Sequence, residues 1–501
     1  MAFSTFLLSE TQILNGIGHD DINTRVRCMK RLTSAIIASL GVFASAFAQI
    51  ETRESWTGIY LQGSKIGYAS STTSQTDTWK RVDSQTLIQA GMLGSEMAMD
   101  IRQKSDYDGA GKIQSLRFEM NSGGRKMVVA ATFNATSIIA TQSSGGPETK
   151  KTIPVPAGAT VVDDAADGFT GLKDGEKKEL HVFDAPSLSL VKVVVYEKAR
   201  ADIEVKGISH KNARTFYVED ARAPMTVYVD AKGETLKTVG PMGMEMIPEP
   251  KEVAMKIDGG AAAADLANAS SIKTDKPIQA PNSRISLTLR VKGFDLGRTP
   301  SDEHQTIKRD GDSWLVTIHP ADPKSAVSSI KLGQQKEWTE PDTRIPSDSP
   351  EFKKLAKEIV GGETDPLKAA EKLRQYVYRT VGVNAGIGVL RDATEILETK
   401  EGVCRDHAVV MATLCRAAGI PTRLVNGLVY DSGRFYYHAW VEVYNGQKWF
   451  GFDSTRPAPR LTATHFKTAQ GTAADALNSF LLDGATIEVV EGAAASAGEK
   501  D

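Results

Sequence analysis

An apolar, alanine-rich run with a marked start and stop is followed by two strand-like runs about an Asn-Gly turn, and this succession between Gly402 and Asp453 most constrains the fold. Cys404-Arg405-Asp406-His407 opens the run, and Val410, Met411 and Leu414 recur at helical spacing. Gly419 stands where a left-handed residue closes a helix, and Pro421 cannot continue it. Cys404 therefore falls in the first turn, where unpaired N–H groups and the helix dipole favour thiolate over thiol.

Phe435 to Tyr444 is aromatic and β-branched, Asn445-Gly446 is a two-residue turn signal, and Gln447 to Asp453 alternates again. With Asn445 and Gly446 as the loop, His438 is expected directly opposite Asp453, with Cβ atoms roughly 4.5–5.5 Å apart, close enough for a carboxylate to hold an imidazole N–H. Tyr436, Trp440 and Glu442 share that face, and Tyr437, Ala439, Val441 and Val443 form an apolar one. A nucleophile, a base and a carboxylate that orients the base suit acyl chemistry. Whether Cys404 meets His438 in space the pattern leaves open.

These residues resemble the bacterial transglutaminase-like superfamily in four ordered blocks: Gly402-Val403-Cys404-Arg405-Asp406, Arg416 to Arg423, His438-Ala439-Trp440-Val441-Glu442-Val443, and Asp453-Ser454-Thr455. Ser454 departs from the proline common in the family. The resemblance covers roughly residues 341–491. It implies a papain-like fold, catalytic roles for Cys404, His438 and Asp453, and action on amide bonds of a protein or peptide through a thioester. Hydrolysis by a peptidase or amidase and acyl transfer to an amine both fit, and so does a non-catalytic envelope protein that uses such a domain to bind peptide or glycan.

A chain of 501 residues is too long for one typical core. The expected class is α+β, with a papain-like or transglutaminase-like core at the C-terminal end behind a large antiparallel β-rich domain. Strand-like segments include Trp56–Tyr60, Ile113–Met120, Lys126–Phe133, Leu188–Tyr196 and Met225–Val229, separated by turns such as Asp108-Gly109 and Lys232-Gly233. Expected boundaries are an N-terminal extension and signal segment at 1–48, the β-rich domain at 49–258, a linker at 259–276, a small β segment at 277–340, the cysteine domain at 341–491 and a disordered tail at 492–501. Alternating Met242, Met244 and Met246 read as core packing.

Met29-Lys30-Arg31, the short apolar stretch Ile36 to Phe43 and Ala46-Phe47-Ala48 read as a secretory signal cleaved after Ala48, with Met29 as the expected true start. The expected location is periplasmic or secreted, without stable membrane insertion. Signal removal would take Cys28 and leave Cys404 and Cys415, about 16 Å apart on one helix and too far for a disulfide. Cys415 reads as core. A net charge of -2 gives no electrostatic case for nucleic acid. Zinc-type cysteine pairs, a phosphate loop and a serine nucleophile elbow are all missing from the sequence, so neither metal nor cofactor is expected. His407, three residues after Cys404, is the weaker candidate base, because a helical neighbour cannot swing in front of the thiol as a strand residue can. Asp406 reads as a first-turn carboxylate and Arg405 as a surface or cleft-rim charge.

Overall fold

The computed structural model describes residues 50–494 apart from 93–94, 145–147, 170–171, 173–174, 221, 258–263, 322–334, 458–460, 473–481 and 483. The signal segment and Cys28 lie outside the described residues, as does part of the expected linker.

Residues 51–248 build one 15-stranded sheet. Strands from Glu51–Leu61 to Thr149–Pro154 each pair antiparallel with the next, because tight turns join them. Glu51–Leu61 pairs on its other side with Glu245–Pro248, and from there the sheet runs back through the later strands to Lys177–Asp184. The Val161–Val162 edge is parallel. Two of the turns share one device: Asp108 accepts from Ala110 and Lys112 N–H, and Asp230 from Lys232 and Glu234 N–H.

Alternation along these strands puts Ile59, Leu61, Ile66 and Ile88 on one face. They share a core with Leu180, Val193, Phe216 and Val227 from the far half of the sheet, so the sheet curls over on itself. Met244 and Met246 are buried in that core, and Met242, in a turn with φ 62°, is partly buried and packs against it.

The chain then enters a second body. Helix Leu266–Ser270 and the short strand Ile272–Lys273 occupy the described part of the segment read as a linker, and that strand joins the sheet that carries His438. Strand Arg284–Lys292 pairs with Ser313–Ile318 and, across a large sequence gap, with Thr486–Ala494, which runs on into the expected tail.

Helices Pro350–Val360, Pro366–Thr380 and Ala393–Thr399 start where Ser349, Asp365 and Asp392 accept the first free N–H groups. They pack with the helix Cys404–Ala417 against strands Thr422–Asp431, Arg434–Tyr444 and Trp449–Phe452. The protein is thus mostly β, with an α+β region at the C-terminal end behind a large β-rich one.

Candidate active site

The cysteine stands at the head of its helix for local reasons. Asp406 turns back so that its Oδ2 accepts from Val403 N–H at 2.9 Å, which caps the helix start. The same oxygen takes Arg391 Nη2 at 3.1 Å, and both side chains are almost wholly buried. Gly402 makes room for this: a Cβ there would come within 2.6 Å of Asp406 Cβ. Gly419 closes the helix with φ 78°. Arg405, read as a surface or cleft-rim charge, is half-buried, and its Nη2 donates to the carbonyls of Ile387 at 3.0 Å and Val389 at 2.8 Å and ties that loop to the helix start.

His438 comes from the neighbouring strand. The hairpin is not the two-residue turn that Asn445-Gly446 suggests: Tyr444 pairs with Trp449, so residues 445–448 form the loop. Asn445 Oδ1 accepts from Gln447 and Lys448 N–H and makes the longer loop favourable. This slides the register by two residues, which keeps every side chain on its face. The ladder ends at Val441–Phe452, so Asp453 is the first residue beyond it, and the pair still closes with His438 Nε2 to Asp453 Oδ2 at 2.9 Å.

Asp453 is almost wholly buried and densely partnered. Its Oδ1 accepts from Thr455 N–H at 2.9 Å and Thr455 Oγ1 at 2.7 Å. Its Oδ2 also lies 3.5 Å from His465 Nε2 and 3.4 Å from Arg456 Nε. Burial alone would raise this carboxyl, but the charge and hydrogen bond of His438 outweigh it and hold it well below the usual range. Burial would likewise strip the proton from His438, yet Asp453 and then Cys404 push the imidazole up to about 10.

Cys404 is partly exposed and hydrogen-bonds to His438 and to the Ala439 N–H. With Nε2 committed to Asp453, Nδ1 is the ring nitrogen left for the thiol. Desolvation works to raise the thiol, but these bonds and the imidazole charge bring it below its ordinary value. Cys415 is the contrast: it is fully buried, and burial pushes it up to about 12. The three residues singled out by spacing therefore form one chain, with His438 bonded to Asp453 on one side and acting on the Cys404 thiol on the other. His407 lies outside that chain, buried with Nδ1 donating to Ser454 O at 3.1 Å.

Residues 353–454 match the family model described as the transglutaminase-like superfamily. The chain carries a transglutaminase-like domain. No curated protein matches the sequence. Among solved structures, a candidate cysteine protease from Cytophaga hutchinsonii is 20% identical with TM-score 0.31, covering 44% of this chain and 88% of that one. A β-barrel-like protein from Brucella abortus is 10% identical with TM-score 0.29, covering 39% and 94%. A candidate protease from Parabacteroides distasonis is 11% identical with TM-score 0.19, covering 73% and 69%. These likenesses are too distant to fix an arrangement or an activity.

Trp440, expected on the His438 face, is 2% exposed, stacks on His438 and meets His465 edge-on. Other residues of the candidate site were not legible in advance. Gly427 faces His438 on the adjoining strand, and a Cβ there would come within 2.8 Å of the Trp440 ring. His465 arrives from a strand beyond. A histidine within reach of the His438 strand is a signal the sequence does carry, but its pairing depends on tertiary packing. His438, Asp453 and His465 offer ligand atoms within 4.8 Å of one another and could in principle hold a metal ion. Arg456 Nε, 3.4 Å from the Asp453 oxygen they share, opposes a cation at that point. The chemistry of this donor set fits an imidazole held for proton transfer.

Proposed function

We propose that the transglutaminase-like domain is a cysteine acyl-transfer enzyme acting on amide bonds of proteins or peptides. The observation that carries the reading is the partly exposed Cys404 thiol, lowered by its bonds to His438 while His438 is raised by Asp453. At neutral pH the thiol proton resides on the imidazole, and Asp453 fixes the ring and offsets its charge.

The thiolate attacks the amide carbon, forming the S–C bond and placing the electron pair on oxygen. The Cys404 N–H, in the first turn, faces that developing charge as one donor of an oxyanion hole. Collapse breaks the C–N bond, and His438 passes its proton to the leaving nitrogen. Neutral His438 then takes a proton from water or an amine as that nucleophile attacks the thioester, and the thiolate departs. Water gives an acid by hydrolysis, and an amine gives a new amide by transfer.

The signal-like run ending at Ala48 supports an exported enzyme. No helix among the described residues is long and apolar enough to cross a membrane. The deciding experiment is iodoacetamide labelling of Cys404 against pH in wild type and in His438→Ala. Fast wild-type labelling at neutral pH that the variant loses supports the catalytic pair. Equal, slow labelling sinks it, and a non-catalytic binding domain takes its place.

A further inference from the structure

Just ahead of the cysteine helix, Gly382–Val383 lies parallel to Glu401–Gly402, with Val383 paired to Gly402. Gly382 N–H donates to Lys400 O and Asn384 N–H to Gly402 O, each at 2.8 Å. Along a strand the main-chain groups of successive residues point to opposite sides, so Val383 directs its own N–H and C=O away from this pair. Its side chain is exposed with it, at 74% the most exposed large hydrophobic residue described. Exposed edges are ordinarily blunted by charge, proline or a covering element, because they invite another strand. Among the described residues no third strand pairs with this apolar edge, and its register partner precedes Cys404 by two residues.

The edge is held firmly from behind. Asn384 Nδ2 bonds Glu401 Oε2 at 3.0 Å, and Arg125 of the β-rich region reaches the other oxygen at 2.9 Å. Just beyond, Ile387 and Val389 are buried in the core of the β-rich region. Ser122 Oγ accepts from Gly388 N–H at 3.1 Å and donates to Gly386 O at 3.3 Å, while Arg405 grips the same loop from the helix side. A strand fixed in its bound shape loses little freedom when a partner pairs with it.

We propose that Val383 is a substrate-positioning residue: its N–H and C=O bind the main chain of an extended peptide acyl donor as an added strand, which leads the scissile amide to Cys404. This rests on Cys404 being the nucleophile. It narrows the substrate class to extended polypeptide, and it gives the β-rich region the task of holding the binding edge in place.

The test compares two reagents on the full chain. Iodoacetamide reads the thiol alone, whereas tripeptidyl chloromethyl ketones, with the fastest of a mixed series chosen, also read peptide binding. Val383→Pro, which removes the N–H, is expected to slow the peptidyl reagent about tenfold and to leave the iodoacetamide rate within about twofold. Because proline could disturb the strand itself, wild-type protein is also treated with the same peptidyl reagent N-methylated at each amide in turn. One position is expected to lose about tenfold in rate. Equal peptidyl rates in both proteins, or indifference to N-methylation at every amide, overturns the proposal. So does a peptidyl rate that falls as protein concentration rises, which would mean that a second copy occupies the edge. Slow iodoacetamide labelling of wild type sinks the nucleophile reading instead, and this proposal with it.

Discussion

The imidazole of His438 lies stacked on the indole of Trp440, ring centroids 6.2 Å apart and planes 26° apart, and the indole in turn meets His465 edge-on at 5.5 Å. Trp440 thereby walls the buried side of the ring and leaves it the positions set by Asp453 and Cys404. Trp440→Ala is expected to destabilise the protein by about 3–5 kcal/mol through the cavity it leaves, and to lower turnover. Trp440→Phe should retain most of both. Chemical denaturation of the two variants checks the first half, and turnover at matched folded fraction the second.

Asp453→Asn keeps the shape and removes the charge that holds His438 up near 10. Burial then drives the ring neutral, so the thiol loses its counter-charge and labelling near pH 7 slows. The midpoint of Cys404 alkylation is expected to move from clearly below about 8.5 to that value or above, with turnover reduced at least about a hundredfold. An unchanged midpoint would remove Asp453 from the mechanism.

Glu395 gives a stability prediction with a definite sign. Burial pushes its carboxyl up to about 7, and its buried Oε2 has no hydrogen-bond partner among the described residues. The folded state therefore holds this proton more tightly than the unfolded chain does. Its contribution is complete below the unfolded value and lost as pH rises through about 7, by on the order of 2–3 kcal/mol. Glu395→Gln should flatten that decline in urea midpoints measured from pH 4.5 to 8.

Gly427 stands where the neighbouring strand and the indole leave no room: a Cβ would meet Phe466 O at 2.1 Å as well as the Trp440 ring. Gly427→Ala is expected to cost about 2–4 kcal/mol and to disturb the His438 face. The same change at Gly433, which has φ 89° but open space around it, should cost only about 1 kcal/mol. Thermal midpoints of the pair separate crowding from backbone strain.

Local chemistry made much of the molecule readable. Caps at Asp365 and Asp392 and the stop at Gly419 are signals of a few residues each, and the helices begin and end there. The His438–Asp453 contact was foreseen through the wrong turn: Asn445 uses its side chain to support four loop residues, and a two-residue slip preserves the face. Strands such as Ser64–Gln75 escaped notice because small polar residues fill them and their partners supply the packing. His465 and Gly427 matter through neighbours across the sheet, and Arg405, expected at the surface or the cleft rim, finds carbonyls that only the folded loop provides. Such relations depend on where distant segments meet, which periodicity does not encode.

Ile387 and Val389 belong by sequence to the region around the cysteine and by packing to the core of the β-rich region. Cut away from that core, a C-terminal fragment would present two bare aliphatic side chains to water. Neither part can be lifted out as a ready-made cassette. Calorimetry of the whole chain should accordingly find a single cooperative melting transition, so that damage to the Ser122–Arg125 hairpin, remote from Cys404 in the chain, is paid in the stability of the thiol's own surroundings.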